Sequence, residues 1–137
     1  KPDHPHRSAD GRYPRLQSGS LGEHTMNVII CGGRDFDDYI GAYRVLDDIH
    51  SQSPISHVIE GGARGADAIG RAWAIRQSIP YTTVHANWNQ HGKRAGWIRN
   101  NAMADLNPDA VIAFPGGDGT AMMVRIANSR NIPVIEA

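Results

Sequence analysis

The side chains able to do chemistry in this sequence are arginines and carboxylates set among glycines. Arg34 follows Gly32 and Gly33, and Arg64 sits inside Gly61-Gly62-Ala63-Arg64-Gly65-Ala66-Asp67. Arg99 stands between Gly96 and Asn100, and Asp118 lies within Gly116-Gly117-Asp118-Gly119-Thr120. A guanidinium grips phosphate or carboxylate through two parallel hydrogen bonds. Glycines let a backbone turn sharply and let a ligand come close. At the last of these stretches the apolar run Ala110–Phe114 stops at Pro115, the glycines follow, and Ala121-Met122-Met123-Val124 opens a helix. The unpaired N–H groups of a first helical turn, together with the helix dipole, favour an anion. Residues 116–120 are therefore expected to bind phosphate, as the floor of a nucleotide site.

Each candidate also has a plainer explanation. A lone arginine beside a glycine turn is ordinarily solvated; for Arg99 a functional role is preferred, while Arg34 and Arg64 stand balanced between the two. Asp67 falls in a first helical turn, where an acid complements the dipole; its functional reading is a ligand for a ribose or other hydroxyl. Asp118 has the same alternatives. Trp88 and Trp97 are each read as core residues when taken singly, and otherwise as a lid or the cover of a base. His85 and His91 lack a third residue at metal-ligand spacing, so no metal site is expected, and Cys31 reads as a small buried hydrophobe. Neither G-x-G-x-x-G after the first strand nor G-x-x-x-x-G-K-[ST] occurs, which sets aside the ordinary dinucleotide fingerprint and the P-loop.

The elements that must position these groups alternate. Val28–Cys31 is an apolar run suited to a strand buried on both faces. A helix starts near Asp37-Asp38, with Ala42, Val45, Leu46 and Ile49 on one face. His57–Glu60 reads as strand two. A helix from about Arg64, with Ile69, Ala72 and Trp73 sharing a face, runs until Pro80 breaks the pattern. Tyr81–Val84 reads as strand three. Residues 85–92 read as loop, and 93–106 as a helix ended by Asn107-Pro108. Residues 110–114 are strand four, and about 119–130 a helix with Met123, Val124 and Ala127 inward and Asn131 as its C-cap. Ile132–Ile135 closes the chain as an edge strand, because proline cannot donate to a ladder. The alternation predicts an α/β, Rossmann-like open parallel sheet of five strands, order 3-2-1-4-5, with helices on both faces. Ligands of such sheets bind beyond the carboxyl ends of the strands. The turns at 32–33, 61–65 and 116–119 all fall there and converge on one crevice if strands one and four are neighbours.

Composition agrees with a single domain and narrows its setting. The chain has 137 residues, 40% hydrophobic, with zero formal net charge; no basic field points to a nucleic-acid partner. One cysteine excludes an internal disulfide framework and suggests a reducing, cytoplasmic location. No run is long enough to span a membrane. Residues 1–25, polar and rich in Pro, Gly, Ser and His, read as a flexible tail preceding a domain over 26–137; His4, His6 and His24 in that tail are read as solvated.

Four motifs in one order carry a resemblance. They are Gly32-Gly33-Arg34; Gly61 to Asp67; Trp88 with Gly92, Ala95-Gly96, Arg99-Asn100 and Met103; and Phe114-Pro115-Gly116-Gly117-Asp118-Gly119-Thr120. Over about residues 26–137 the chain resembles the YspA/YpsA-related branch of the SLOG superfamily, the Rossmann-like group that also holds DprA and the lonely-guy enzymes. The resemblance implies a nucleotide or nucleotide-derived ligand, no certain cofactor, and a homodimer. It implies ligand contacts from Gly32, Gly33, Arg34, Gly61, Gly62, Arg64, Gly65, Asp67, Arg99, Asn100 and residues 116–120. The lonely-guy enzymes cleave the base from a nucleoside 5′-monophosphate and carry P-G-G-x-G-T-x-x-E, with an arginine upstream. Arg99 matches that arginine, but Met123 occupies the glutamate position. Hydrolysis would then fall to Arg99 with Glu60, Asp67 or Asp118 as the acid, so the expected activity is that of a binder or sensor, with phosphoribohydrolase as the alternative. A further alternative rests on Gly-Gly-Asp-Gly-Thr, which also occurs in NAD kinases and diacylglycerol kinases at a phosphate contact.

Overall fold

The computed structural model describes residues 25–137. The expectation of a tail over 1–25, with its histidines, lies outside the described residues apart from Thr25. Five strands form one sheet: β1 (Met26–Cys31), β2 (Ile55–Glu60), β3 (Tyr81–Thr83), β4 (Ala110–Ala113) and β5 (Val134–Glu136). Their order is β3-β2-β1-β4-β5 and every pairing is parallel. The long helices are α1 (Tyr39–Gln52), α2 (Ala66–Arg76), α4 (Ala95–Ala104) and α5 (Asp118–Ser129). A four-residue helix, α3 (Trp88–His91), and a 3-10 turn, Gly92–Arg94, lead into α4.

The strands are apolar on both faces because both are covered. Val28 and Ile30 of β1, with Val58 and Ile112, pack against Ala42, Leu46 and Ile49 of α1 and Trp73 and Ala74 of α2. The alternate residues, Ile29, Ile59 and Val111, pack against Met103 and Ala104 of α4 and Met123, Ile126 and Ala127 of α5. Asp38 caps α1 by accepting the Gly41 N–H at 2.9 Å. The buried indole of Trp73 donates to Asp47 Oδ1 at 2.9 Å, tying α2 to α1.

Several details differ from the sequence reading. Ala72 is exposed, and Gly70, Trp73 and Ala74 form the inner face of α2 instead. A Cβ at Gly70 would meet the Ile30 side chain at 2.8 Å, so the missing side chain is what lets α2 lie close to β1. Residues 85–92 are not all loop: Asn87 accepts the Gln90 N–H at 3.0 Å and so starts α3. The helix expected over 93–106 begins at Ala95, after the 3-10 turn, and ends at Ala104. The last strand begins after Pro133 and not at Ile132, because the Ile132 N–H closes α5 by donating to Ala127 O at 2.8 Å. Trp88 and Trp97 are not core residues; they are 52% and 46% exposed.

Candidate functional site

With all strands parallel, β1, β2 and β4 end on the same side, and their loops pack on one another through backbone atoms. The Gly33 N–H donates to Pro115 O at 2.8 Å, and the Ala66 N–H donates to Gly33 O at 3.1 Å. The peptide groups of Gly33 thus join the loop after β4 to the start of α2. Gly65 has φ +77°, and a Cβ there would land on the carbonyl oxygens of Gly33 and Arg34. Glycine is required on both counts, since L-residues avoid that region and no space exists.

Above these loops lies a cleft of about 650 Å3. Its walls come from the ends of β1 and β2, the segment 85–88, Lys93, α4 from Gly96 to Met103, and Gly117 with the first half of α5. Arg99 is fixed from two sides: its Nη1 donates to Gly61 O and its Nε to Asn100 Oδ1, both at 2.9 Å. Asn100 is buried, and its Nδ2 donates to Gly119 O at 3.3 Å. One residue pair therefore links α4 to the β2 loop and to α5. A Cβ at Gly61 would lie 2.6 Å from Arg99 Nη1 and 2.9 Å from Asp67 Oδ2, so this glycine makes room for the pair.

Asp67, in the first turn of α2, is 6% exposed and lines the cleft. Its Oδ2 accepts the Gly61 N–H at 3.0 Å and the Ala63 N–H at 3.3 Å. Burial pushes its carboxyl up to about 6, against the opposing pull of the Ala63 N–H and of Arg99. Burial, with the nearby Asp67, raises the Cys31 thiol to about 12, so Cys31 stays protonated at the cleft floor. At the opposite wall, no side-chain hydrogen bond caps α5. A Cβ at Gly117 or Gly119 would meet nothing within 4 Å. The first turn of α5 thus opens on free space with no side chain in the way.

The structure brings together Gly32, Gly33, Arg34, Gly61, Gly62, Asp67, Arg99, Asn100, Gly117, Asp118, Gly119 and Thr120 along this cleft. Four expected residues are placed elsewhere. Gly65 and Gly116 lie behind the lining, Gly65 in the loop packing just described and Gly116 against the β1 loop, where a Cβ would stand 2.6 Å from the Gly33 nitrogen. Arg64 is exposed, held by Asp35 Oδ1 at 3.0 Å and Arg34 O at 3.3 Å. Glu60 is fully buried beneath the β2 loop: it accepts the Gly62 N–H at 2.7 Å and the Thr83 hydroxyl, and lies 3.7 Å from Arg71 Nη1. Met123, at the expected glutamate position, is 1% exposed and borders the cleft from the α5 core. His85 and Lys93 line the cleft without having been singled out as ligand contacts. The signal for His85 was its place just past the carboxyl end of a parallel strand.

Comparison with known proteins gives two matches. The family model described as "YspA, cpYpsA-related SLOG family" matches residues 26–91. The Gene 61 protein of Mycobacterium phage D29 is 39% identical over 116 residues, covering 79% of this chain and 93% of that protein. No solved structure was found to match.

Proposed function

The chain belongs to the YspA, cpYpsA-related SLOG family, and from that premise we propose that it binds a nucleotide or nucleotide-derived small molecule in the cleft, as a binder or sensor. The carrying observation is the uncapped first turn of α5 facing open space at Gly117 and Gly119, a geometry suited to a phosphate group. Arg99 borders the same cleft, and its contacts to Gly61 O and Asn100 hold it in place before a ligand arrives. Arg34 and Lys93 add positive charge at the rim, and Asp67 offers a carboxyl group to ligand hydroxyls. No helix among the described residues is long and apolar enough to cross a membrane, and the family suggests a nucleotide-related role.

Asp67 also supports a second reading, cleavage of a nucleoside 5′-monophosphate at the glycosidic bond. A carboxyl group raised to about 6 in a cleft beside an arginine is a candidate general acid. Met123 weighs against it, because a thioether carries no charge to stabilise the cation-like ribose as the base departs.

The test is calorimetry with nucleoside monophosphates, NAD and ADP-ribose on the wild type and Gly117→Val. Position 117 has an open Cβ direction, so a valine side chain there meets no neighbour and projects into the phosphate path; circular dichroism of the variant, whose backbone at 117 (φ −103°, ψ −140°) is unusual for valine, checks that it folds. Loss of binding in a folded variant is the expected result. Unchanged affinity would remove the α5 turn as the site.

A further inference from the structure

We propose that Trp88 is the platform on which the base of the bound nucleotide stacks, a specificity element that rests on the nucleotide reading above. Trp88 borders the cleft and is 52% exposed. It belongs to neither core cluster and stacks on no other aromatic ring among the described residues. Trp97 differs: it does not line the cleft, and the Arg94 guanidinium lies 5.4 Å from its ring centroid.

The local chain holds the Trp88 indole in place. Asn87 caps α3 immediately before it. On the α4 side, a Cβ at Gly96 would stand 3.5 Å from Trp88 Cη2, so the six-membered ring rests close to the helix backbone where a side chain is missing. A rigid aromatic surface supported by backbone and open to a cleft offers base stacking at low conformational cost. The same cleft runs to the α5 turn, so it presents phosphate-binding and base-binding chemistry in one continuous space, with Arg99 and Asp67 also on its walls. An indole face takes any nucleobase, so recognition here is of an aromatic ring rather than of one hydrogen-bonding edge.

The experiment uses two probes, AMP and ribose 5-phosphate, which share the phosphate and the sugar but not the base. In a Trp97→Phe background the remaining indoles are Trp88 and the buried Trp73. AMP is expected to quench fluorescence in that background, and ribose 5-phosphate to bind without that quenching. Trp88→Ala is expected to weaken AMP binding by about 5- to 150-fold while leaving ribose 5-phosphate affinity unchanged, with Trp88→Phe retaining most of the AMP affinity. Equal AMP affinity in the wild type and Trp88→Ala would overturn the platform and leave the phosphate site standing. Equal weakening of both probes would overturn it as well, by showing a structural role for Trp88. Failure of both probes to bind the wild type would overturn the nucleotide reading, and the platform with it.

Discussion

Replacing Asp67 with asparagine tests whether the cleft holds its carboxyl at a cost to folding. Burial raises this group from 3.8 to about 6, so the folded state binds the proton more tightly than the unfolded chain does. The sign follows: the stability linked to this proton is fully present below about pH 4 and is lost as pH rises through about 6. At about 1.4 kcal/mol for each pH unit, the charged form costs the native state about 3 kcal/mol at neutral pH. The introduced amide would keep an oxygen to accept from Gly61 and Ala63 and would carry no charge to desolvate, but it forgoes the attraction of Arg99. The expected outcome is a protein about 1–2 kcal/mol more stable at pH 7.5, with the difference vanishing near pH 4. Urea unfolding followed by far-UV circular dichroism across pH 4–8 reads this directly, because the other titrating groups cancel in the difference between the two proteins. A difference that stays constant with pH would refute the reasoning, since it would mean that Asp67 keeps an ordinary carboxyl in the fold.

Gly65→Ala should destabilise by about 3 kcal/mol or more, combining positive-φ strain with collision against two backbone carbonyls; thermal unfolding measures it, and a loss under about 1 kcal/mol would contradict the loop packing. Chromatography of nucleoside monophosphates incubated with the wild type should show no free base; robust release that disappears in Arg99→Ala would favour the hydrolase reading. Met123→Glu should lower the melting temperature sharply, because it buries a carboxylate between α5 and the sheet; an unchanged melting temperature would show that position 123 opens to water. Light scattering should report a dimer formed through the faces of α2 and α4 that expose Ile75 and Trp97, and a monomer at high concentration would exclude it.

The sheet was readable because its strands carry apolar residues on both faces and alternate with helices of clear periodicity. Val28–Cys31 and Ala110–Phe114 admit little else, and the parallel order follows from the crossovers. The convergence of the glycine turns was legible from the same logic. What escaped was settled by contacts that leave no periodic trace. The direction of Glu60 depends on Thr83 and Arg71, which are distant in sequence. Asn87 starts α3 through two bonds of its side chain to Gln90. The large apolar surface of Trp88 and Trp97 suggests a core, whereas the packing excludes both. Ala72 is small enough to sit on either side of a helix, so sequence alone does not orient it.

The joining of the loops through Gly33 also bears on how this chain can evolve. Gly33 N–H to Pro115 O and Ala66 N–H to Gly33 O are main-chain bonds, indifferent to most side chains but intolerant of a change in loop length. One residue inserted into the turn after β1 would disturb both bonds at once, and one inserted after β2 or β4 would disturb the bond that its loop makes to Gly33. Diversification around the cleft is therefore channelled to side chains borne on its far wall, such as His85, Trp88 and Lys93, where a substitution alters what the cleft accepts and leaves the three-loop junction unbroken.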